Sequence, residues 1–286
     1  MYSTNDKLKD AVSNSIAKQH IEISKPDEYK EPVVLPRRYG EEKLTVVVSG
    51  KRSLSAAYQY VKQGDKVCVL NFASPVQPGG GVLNGSTAQE ECLCRVSTLY
   101  PCLLKYQKEF YNKHIEDIRS GKMDASYNDD CIYTPDVVVF KTDDSEPSLS
   151  KNWYNVDIVT CAAPNLRKHP SNRHNAGGGL NPVHLSQKEI LGIHMQRGRK
   201  ILTLVAKNSC DVVILGAFGC GAYCNPANIV AEAYRRILKE FTGVFKTVEF
   251  AVYCTNRYKE NNKTFKNVLS RVVYNDTRKG YLCRTE

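Results

Sequence analysis

Two adjacent carboxylates that follow a glycine loop are the part of the sequence best suited to acid–base chemistry. In residues 71–91, NFASPVQPGGGVLNGSTAQEE, three consecutive glycines precede Glu90 and Glu91. Glycines allow positive φ and let the backbone approach a ligand closely, because no Cβ stands in the way. A glutamate beside that ligand can give or take a proton at a reacting bond. The pattern therefore predicts a ligand-binding loop with an acid/base carboxylate next to it.

The spacing of the two glutamates limits how they can work. Neighbouring residues on a helix point about 100° apart, whereas the two carboxylates of a glycosidase pair face each other across the substrate at roughly 5 to 9 Å. At most one of the two can therefore be the acid. Thr87 to Glu90 fits a capping box, in which the Glu90 side chain returns to the Thr87 amide. Glu91 is outside that box; the helix start favours its ionised form and apolar burial would favour its protonated form.

A second glycine loop, LGAFGCGAYCNP at 215–226, lies between a strand-like run and a helix that begins near Asn225 or Pro226. Backbone amides and a helix N-terminus in this position are typical of an anion site that would suit a diphosphate. Tyr223 lies where its ring could stack on a base or ribose. A tight strand-to-helix turn with a packed tyrosine would explain the same residues. Neither loop carries a nucleotide fingerprint: a GxGxxG is absent, and Ser86 stands where a P-loop needs lysine.

Alternating apolar runs and helical periods surround these loops. Strands are predicted at 44–49, 66–72, 131–140, 156–164, 211–218 and 247–254, and helices at 53–62, 87–112, 186–208, 226–240 and 259–272. Such alternation predicts an α/β fold of three layers, α/β/α, with a mixed central sheet covered on both faces. We expect 87–112 to break near Pro101, and 131–140 to be a bent edge strand that Pro135 interrupts.

The first 40 residues differ from the rest. Leu8, Val12 and Ile16 have helical spacing, with Asn5 or Thr4 as a cap, and predict an amphipathic helix that packs on the main domain. Residues 24–42 contain three prolines and many charges, and read as an extended connector. We therefore expect a helical extension and connector at 1–40 and one large domain at 41–286.

Composition excludes several classes of protein. With 42% hydrophobic and 24% charged residues, the chain is neither disordered nor fibrous, and no apolar run approaches the roughly 18 to 20 residues that span a bilayer. The 11 cysteines lie mostly in apolar runs, which favours reduced thiols inside a cell. A net charge of +10 favours anionic partners.

Together these motifs resemble the microbial-type poly(ADP-ribose) glycohydrolases, which are built on a macrodomain. The resemblance rests on NFA, on GGG followed seven residues later by QEE, on IYTPDVVVF and TCAAPNLR, and on GAFGCGAY. It runs from about Leu44 to Tyr253. One departure is Phe218, where the family often has tryptophan, and we expect it to alter packing rather than chemistry.

The resemblance implies specific roles. Glu91 is similar to the family's catalytic acid, and Glu90 to the residue that holds a ribose hydroxyl. Binding of ADP-ribose is implied for the glycine loop, the second loop, its aromatic residue and two further positions: Asn71, Gly79, Gly80, Gly81, Gln89, Gly219, Cys220, Gly221, Ala222 and Tyr223. The implied activity is hydrolysis of the ribose O-glycosidic bond of poly(ADP-ribose), with one glutamate as general acid and base.

Alternative functions stay open at this stage. The chain would otherwise be a hydrolase of ADP-ribosylated nucleic acid or of mono-ADP-ribosylated protein, or a non-catalytic ADP-ribose-binding macrodomain. Cys92 with Cys94, and Cys220 with Cys224, lack the paired spacing of a zinc site, so we expect no metal and no cofactor. The loop 165–182, with Arg167, Arg173 and glycines 177–179, is either a lid or a basic surface loop.

The expected partners are ADP-ribose, poly(ADP-ribose) or an ADP-ribosylated macromolecule, and nucleic acid could be reached through the modified substrate. We expect a monomer without membrane contact, in the cytoplasm or, in a eukaryote, in the nucleus.

Overall fold

The computed structural model describes residues 5–25, 28–40, 43–171, 181–255, 259–270 and 281–285. Arg173 and the glycines 177–179 lie outside the described residues. The chain forms two compact units. The first comprises Met1–Ser24, Asn71–His184 and Ala222–Cys224, and the second comprises Lys25–Leu70, Leu185–Gly221 and Asn225–Glu286.

Strands and helices alternate along the chain, as the sequence predicts. The strands are β1 (His20–Glu22), β2 (Leu44–Ser49), β3 (Val67–Phe72), β4 (Cys131–Lys141), β5 (Leu149–Cys161), β6 (Val212–Leu215), β7 (Thr247–Ala251) and β8 (Tyr281–Thr285). The helices are α1 (Asp6–Lys18), α2 (Ser53–Val61), α3 (Gln89–Val96), α4 (Leu99–Leu104), α5 (Lys113–Arg119), α6 (Gln187–Lys207), α7 (Ala227–Ile237) and α8 (Glu260–Leu269).

The second unit is a parallel sheet with helices on both faces. Its strands follow the order β3, β6, β7, β2, β8, and each neighbouring pair is parallel. Consecutive residues of a strand point to opposite faces. On β7, Glu249 accepts a hydrogen bond from Tyr60 of α2 at 2.6 Å, whereas the ring of Phe250 packs on Tyr234 of α7 and Phe265 of α8. This unit therefore has the expected three layers.

The first unit is built on antiparallel strands. β4 pairs with β1 through His20 and Tyr133, and with β5 through Cys131 and Cys161. The α/β class with both parallel and antiparallel strands is thus confirmed. The prediction that 131–140 is an edge strand is wrong, because β1 pairs with its outer side.

Two predictions about prolines also fail. β4 continues through Pro135, where the register with β5 shifts between Thr134 and Val137. Proline has no backbone N–H to donate, and the irregular pairing at this point does not require one. The break in 87–112 lies between α3 and α4, at 97–98, and Pro101 is inside the first turn of α4. Amides of a first helical turn have no acceptor within the helix, so proline is tolerated there.

The predicted amphipathic helix is present as α1 and packs within the first unit. Asn5 caps it, because its side-chain oxygen accepts from the Leu8 amide at 3.2 Å. Leu8 is 1% exposed and clusters with Val138 and Phe140 of β4.

Replacing this buried leucine tests whether α1 is integral to the first unit. Leu8→Ala should lower the free energy of unfolding by about 2 to 5 kcal/mol, because it removes a buried side chain and leaves a cavity. The matched control is Lys7→Ala, at an exposed neighbour, which should change stability by less than about 0.5 kcal/mol. Urea unfolding followed by fluorescence measures both. Equal stability of the two variants would show that α1 is peripheral.

Candidate active site

The site in the first unit begins where β3 ends and α3 starts. Gln89, the first residue of α3, accepts a hydrogen bond from the Phe72 amide on its side-chain oxygen at 2.9 Å. This bond ties the helix start to the end of the strand. The residue before the helix is Ala88, and it makes no side-chain cap.

The predicted capping box of Thr87 and Glu90 is therefore not formed. Because the cap position belongs to Ala88, Glu90 is the second residue of α3 rather than the third, which a capping box requires. Its carboxylate turns instead to Asn71 and Ser74.

Glu90 is buried, with 3% of its surface exposed, and both carboxyl oxygens are bound. Oε1 accepts from Asn71 Nδ2 at 3.2 Å, and Oε2 accepts from the Ser74 amide at 2.7 Å. Burial raises the pKa of Glu90 to about 8, and the nearby charge of Glu91 adds to this, against the lowering effect of hydrogen bonds from the Ser74 amide, the Asn71 side chain and the Gly79 amide. The side chain is consequently mostly protonated at neutral pH.

Glu91 has a different environment. It is 7% exposed, and its Oε1 accepts from the Gly81 amide at 2.8 Å. Its Oε2 is buried and has no hydrogen-bond partner among the described residues. A buried polar atom without a partner is costly and marks a position that a ligand, water or proton can satisfy. Glu91 thus has one oxygen without a described partner, whereas both oxygens of Glu90 are bound.

The glycine loop leaves no room for side chains. Gly79 and Gly80 have φ values of 66° and 55°, which favour glycine. A Cβ on Gly80 would lie 2.5 Å from Glu91 Oε1, and one on Gly81 would lie 2.3 Å from Ser86 Oγ. The consecutive glycines are therefore required for the carboxylate to approach the backbone.

Tyr223 also belongs to the first unit, as does Ala222. The half-buried ring of Tyr223 lies 6.1 Å from the Tyr127 ring, and the guanidinium of Arg167 lies 5.6 Å from the centroid of the Tyr223 ring. It packs on an apolar cluster that includes Val76, just before the glycine loop. The ring is thus fixed by its neighbours.

In the second unit, the loop of Gly219, Cys220 and Gly221 makes a tight turn. The Gly219 carbonyl accepts from the Asn225 amide at 3.0 Å and from its side-chain nitrogen at 3.1 Å. Asn225 in turn bonds to His194 of α6 at 2.8 Å, and Phe218 is buried edge-on against the same ring. These contacts fit a packing role for Phe218 and hold the turn at the start of α7.

Sequence reasoning missed two contributors to the first-unit site. The Ser74 amide binds Glu90, and backbone donors leave no sequence signal. Tyr111 lies in a π-helical turn, Gln107–Asn112, and its fully buried hydroxyl has no partner among the described residues. Burial, together with the charge of Glu90, raises the pKa of Tyr111. Hydrophobic spacing does not reveal a π turn, although such turns are frequent at functional sites.

Two features are absent from the part of the chain that the structure describes. No three metal-ligating side chains come together there. No helix in the described ranges is long and apolar enough to cross a membrane.

Comparison with known proteins finds one matching family. A family model described as microbial-type PARG, catalytic domain, matches residues 2–142, which include Asn71, the glycine loop and both glutamates. No curated protein matches the chain.

Solved structures are similar over most of the chain. Poly(ADP-ribose) glycohydrolase from Thermomonospora curvata, bound to the inhibitor ADP-HPD, is 29% identical, with 90% of this chain and 88% of that chain covered and a TM-score of 0.72. The enzyme from Deinococcus radiodurans in complex with ADP-ribose is 29% identical, with 91% and 97% covered and a TM-score of 0.74. The chain is thus similar to microbial-type poly(ADP-ribose) glycohydrolases, in sequence over residues 2–142 and in structure over most of its length.

The raised pKa of Glu90 predicts a pH-dependent stability. Its ordinary value of 4.5 applies to the unfolded chain and about 8 to the folded one, so the unfolded state loses its proton first. The contribution of the Glu90 carboxyl to folding stability is complete below about pH 4.5 and is lost as the pH rises towards 8. Glu90→Gln has no ionisable carboxyl at this position, so its stability does not decrease with pH in this way. The melting temperature of the variant, relative to the parent, should therefore increase between pH 5 and pH 8.

The control for this comparison is Glu146→Gln, at an exposed position. Its melting temperature should follow the parent at every pH. If the difference between Glu90→Gln and the parent stays constant from pH 5 to pH 8, the buried carboxyl does not have the raised pKa.

Proposed function

We propose that the chain hydrolyses the ribose O-glycosidic bond of poly(ADP-ribose) and releases ADP-ribose, with Glu91 as general acid and then general base. One observation carries this proposal. The Glu91 carboxyl is buried beside the glycine loop, with one oxygen bound by the Gly81 amide and the other without a described partner. The family-model match over residues 2–142 and the similar structures solved with ADP-ribose or with ADP-HPD support the same activity.

The hydrogen bond from the Gly81 amide indicates which carboxyl oxygen of Glu91 donates the proton. Because Oε1 accepts from that amide, the acidic proton belongs on Oε2. Oε2 gives its proton to the leaving oxygen as the bond from the anomeric carbon to that oxygen breaks, and the ribose becomes oxocarbenium-like. A water then adds to the anomeric carbon and returns a proton to Oε2. The ligand's own diphosphate supplies negative charge near the cationic sugar.

Glu90 has a supporting part in this proposal. It orients a ribose hydroxyl, and its carboxyl is fixed by Asn71 and Ser74. Because burial raises its pKa to about 8, it is mostly uncharged at neutral pH. A neutral Glu90 does not repel the negative charge that forms on Glu91 after proton transfer.

The remaining binding residues complete the proposed site. Asn71 and the glycines 79–81 would contact the ribose, and Gln89 would hold α3 in place through Phe72. We propose that Gly219, Cys220, Gly221 and Ala222 bind the diphosphate, on the basis of the family resemblance. Tyr223 would stack near the adenosine.

Removing the acid should separate binding from hydrolysis. Glu91→Gln keeps the shape and the acceptor for Gly81 but cannot donate a carboxylic proton. It should bind ADP-ribose with near-parental affinity by calorimetry, while the rate of ADP-ribose release from labelled polymer falls by about 10² to 10⁴-fold. Release at the parental rate would show that Glu91 is not the acid.

Substrate assays separate the alternative functions. Parent protein is incubated with labelled poly(ADP-ribose), with mono-ADP-ribosylated protein and with ADP-ribosylated DNA, beside Glu91→Gln. The proposal requires rapid Glu91-dependent release from the polymer. Faster release from the other two substrates would favour the alternative hydrolases, and binding without release would favour a non-catalytic reader.

The glycine loop offers a third test. Gly80→Ala would place a methyl group 2.5 Å from Glu91 Oε1 at a residue with φ of 55°. The carboxylate must move, so we expect kcat to fall by about 10²-fold, as for a misplacement of roughly 1 Å. Gly192→Ala is the control, because its new methyl meets nothing within 4 Å. Equal kcat values would contradict the geometric role of Gly80.

The location and assembly of the protein are also proposals. All ten cysteines whose side chains are described are free, which supports a reducing compartment such as the cytoplasm. We propose a monomer that can meet nucleic acid through a modified substrate.

A further inference from the structure

A buried histidine and aspartate lie next to the segment that leads from β3 to the glycine loop in the first unit. His114 of α5 is 3% exposed and Asp130, just before β4, is 4% exposed. His114 Nε2 lies 3.0 Å from Asp130 Oδ2. Neither residue contacts the carboxyl groups of Glu90 or Glu91 in any described hydrogen bond.

The other ring nitrogen of His114 contacts the segment that precedes the glycine loop. Nδ1 lies 3.0 Å from the carbonyl oxygen of Pro75. A carbonyl can only accept, so Nδ1 must carry a hydrogen for this bond to form. The ring is further fixed by Phe110, whose centroid is 4.2 Å away. The imidazole therefore acts as a clamp between a fixed carboxylate and a backbone carbonyl.

Asp130 is itself well anchored. Oδ1 accepts from the Ser24 amide at 2.5 Å, and Oδ2 accepts from Asn128 Nδ2 at 2.8 Å. The hydrogen bond with His114 lowers the pKa of Asp130 despite its burial, which by itself raises the value. An ionised Asp130 is a strong acceptor that orients the ring of His114.

Pro75 is the residue through which this clamp reaches the site. It follows Ser74, whose amide binds Glu90 Oε2 at 2.7 Å. Six residues further along, the Gly81 amide binds Glu91 Oε1 at 2.8 Å. The backbone donors to Glu90 Oε2 and Glu91 Oε1 thus lie on the segment whose carbonyl His114 holds.

We propose that His114 is a positioning residue for the reaction. Its Nδ1–H fixes the Pro75 carbonyl, and thereby places the Ser74 and Gly81 amides against Glu90 and Glu91, with Asp130 orienting the ring. This inference rests on the proposed function of the same site. It also links the N-terminal segment to that site, because Ser24 supplies a donor to Asp130.

Two substitutions of the same residue test the proposal. Asparagine places its amide nitrogen near the position of Nδ1, and glutamine places its nitrogen near Nε2. His114→Asn therefore keeps the donor to Pro75, whereas His114→Gln keeps only the contact with Asp130. We expect kcat on labelled poly(ADP-ribose) to stay within the parental order of magnitude for His114→Asn, and to fall by about 10 to 100-fold for His114→Gln.

Asp130→Asn separates stability from positioning. With an amide opposite Nε2, the ring can accept there while Nδ1–H still donates to Pro75. The melting temperature should fall, while kcat stays close to the parental value. A merely structural role predicts instead that kcat follows melting temperature in all three variants.

The outcomes are distinct. Equal kcat values for His114→Asn and His114→Gln would overturn the inference. If His114→Gln does not fold, a tenfold loss of kcat in His114→Asn would overturn it instead. If the parent releases no ADP-ribose, the proposed function fails, and the affinity for ADP-ribose decides the inference instead. Weaker binding by His114→Gln alone would then support it, and equal binding by both variants would overturn it.

Discussion

Two carboxyl groups that are adjacent in the chain are buried against the same glycine, and the rest of the site depends on how their charge is arranged. A Cβ on Gly80 would lie 2.5 Å from Glu91 and 3.1 Å from Glu90. Two such groups cannot both ionise cheaply in a buried site. The structure treats them unequally, since Glu90 has a pKa of about 8 and both oxygens bound, whereas Glu91 retains one open oxygen.

Backbone amides position both carboxyl groups, and the Asn71 side chain adds a second donor to Glu90. The Ser74 amide serves Glu90 and the Gly81 amide serves Glu91, and both amides lie on the segment between β3 and α3. Gln89 ties the start of α3 to the last residue of β3. The two ends of the segment are therefore fixed, and the conformation of the glycines sets the distance between amide and carboxylate. A side chain in the loop would occupy the space that the carboxylate needs.

Support for this segment comes from residues far away in sequence. Ser24 and Asp130 are 106 positions apart, and Asp130 holds His114, which holds Pro75. α1 packs on β4 within the same unit through Leu8. The N-terminal residues, for which the sequence suggested only an extension, therefore belong to the packing of the unit that carries both glutamates. Whether residues 1–40 and 41–286 are separate domains stays a prediction.

The sequence by itself determined the α/β alternation, the amphipathic helix α1 and the position of a glycine loop before two glutamates, because apolar periodicity and glycine runs are local properties of the chain. It misjudged Pro101 and Pro135, whose tolerance depends on a helix start and on an irregular strand pairing. It also assigned Glu90 to a cap that Ala88 occupies. Only the tertiary structure decided that both oxygens of Glu90 are bound while Glu91 has one open oxygen, and that Pro75 is held by His114, because burial and long-range hydrogen bonds arise from residues distant in the chain.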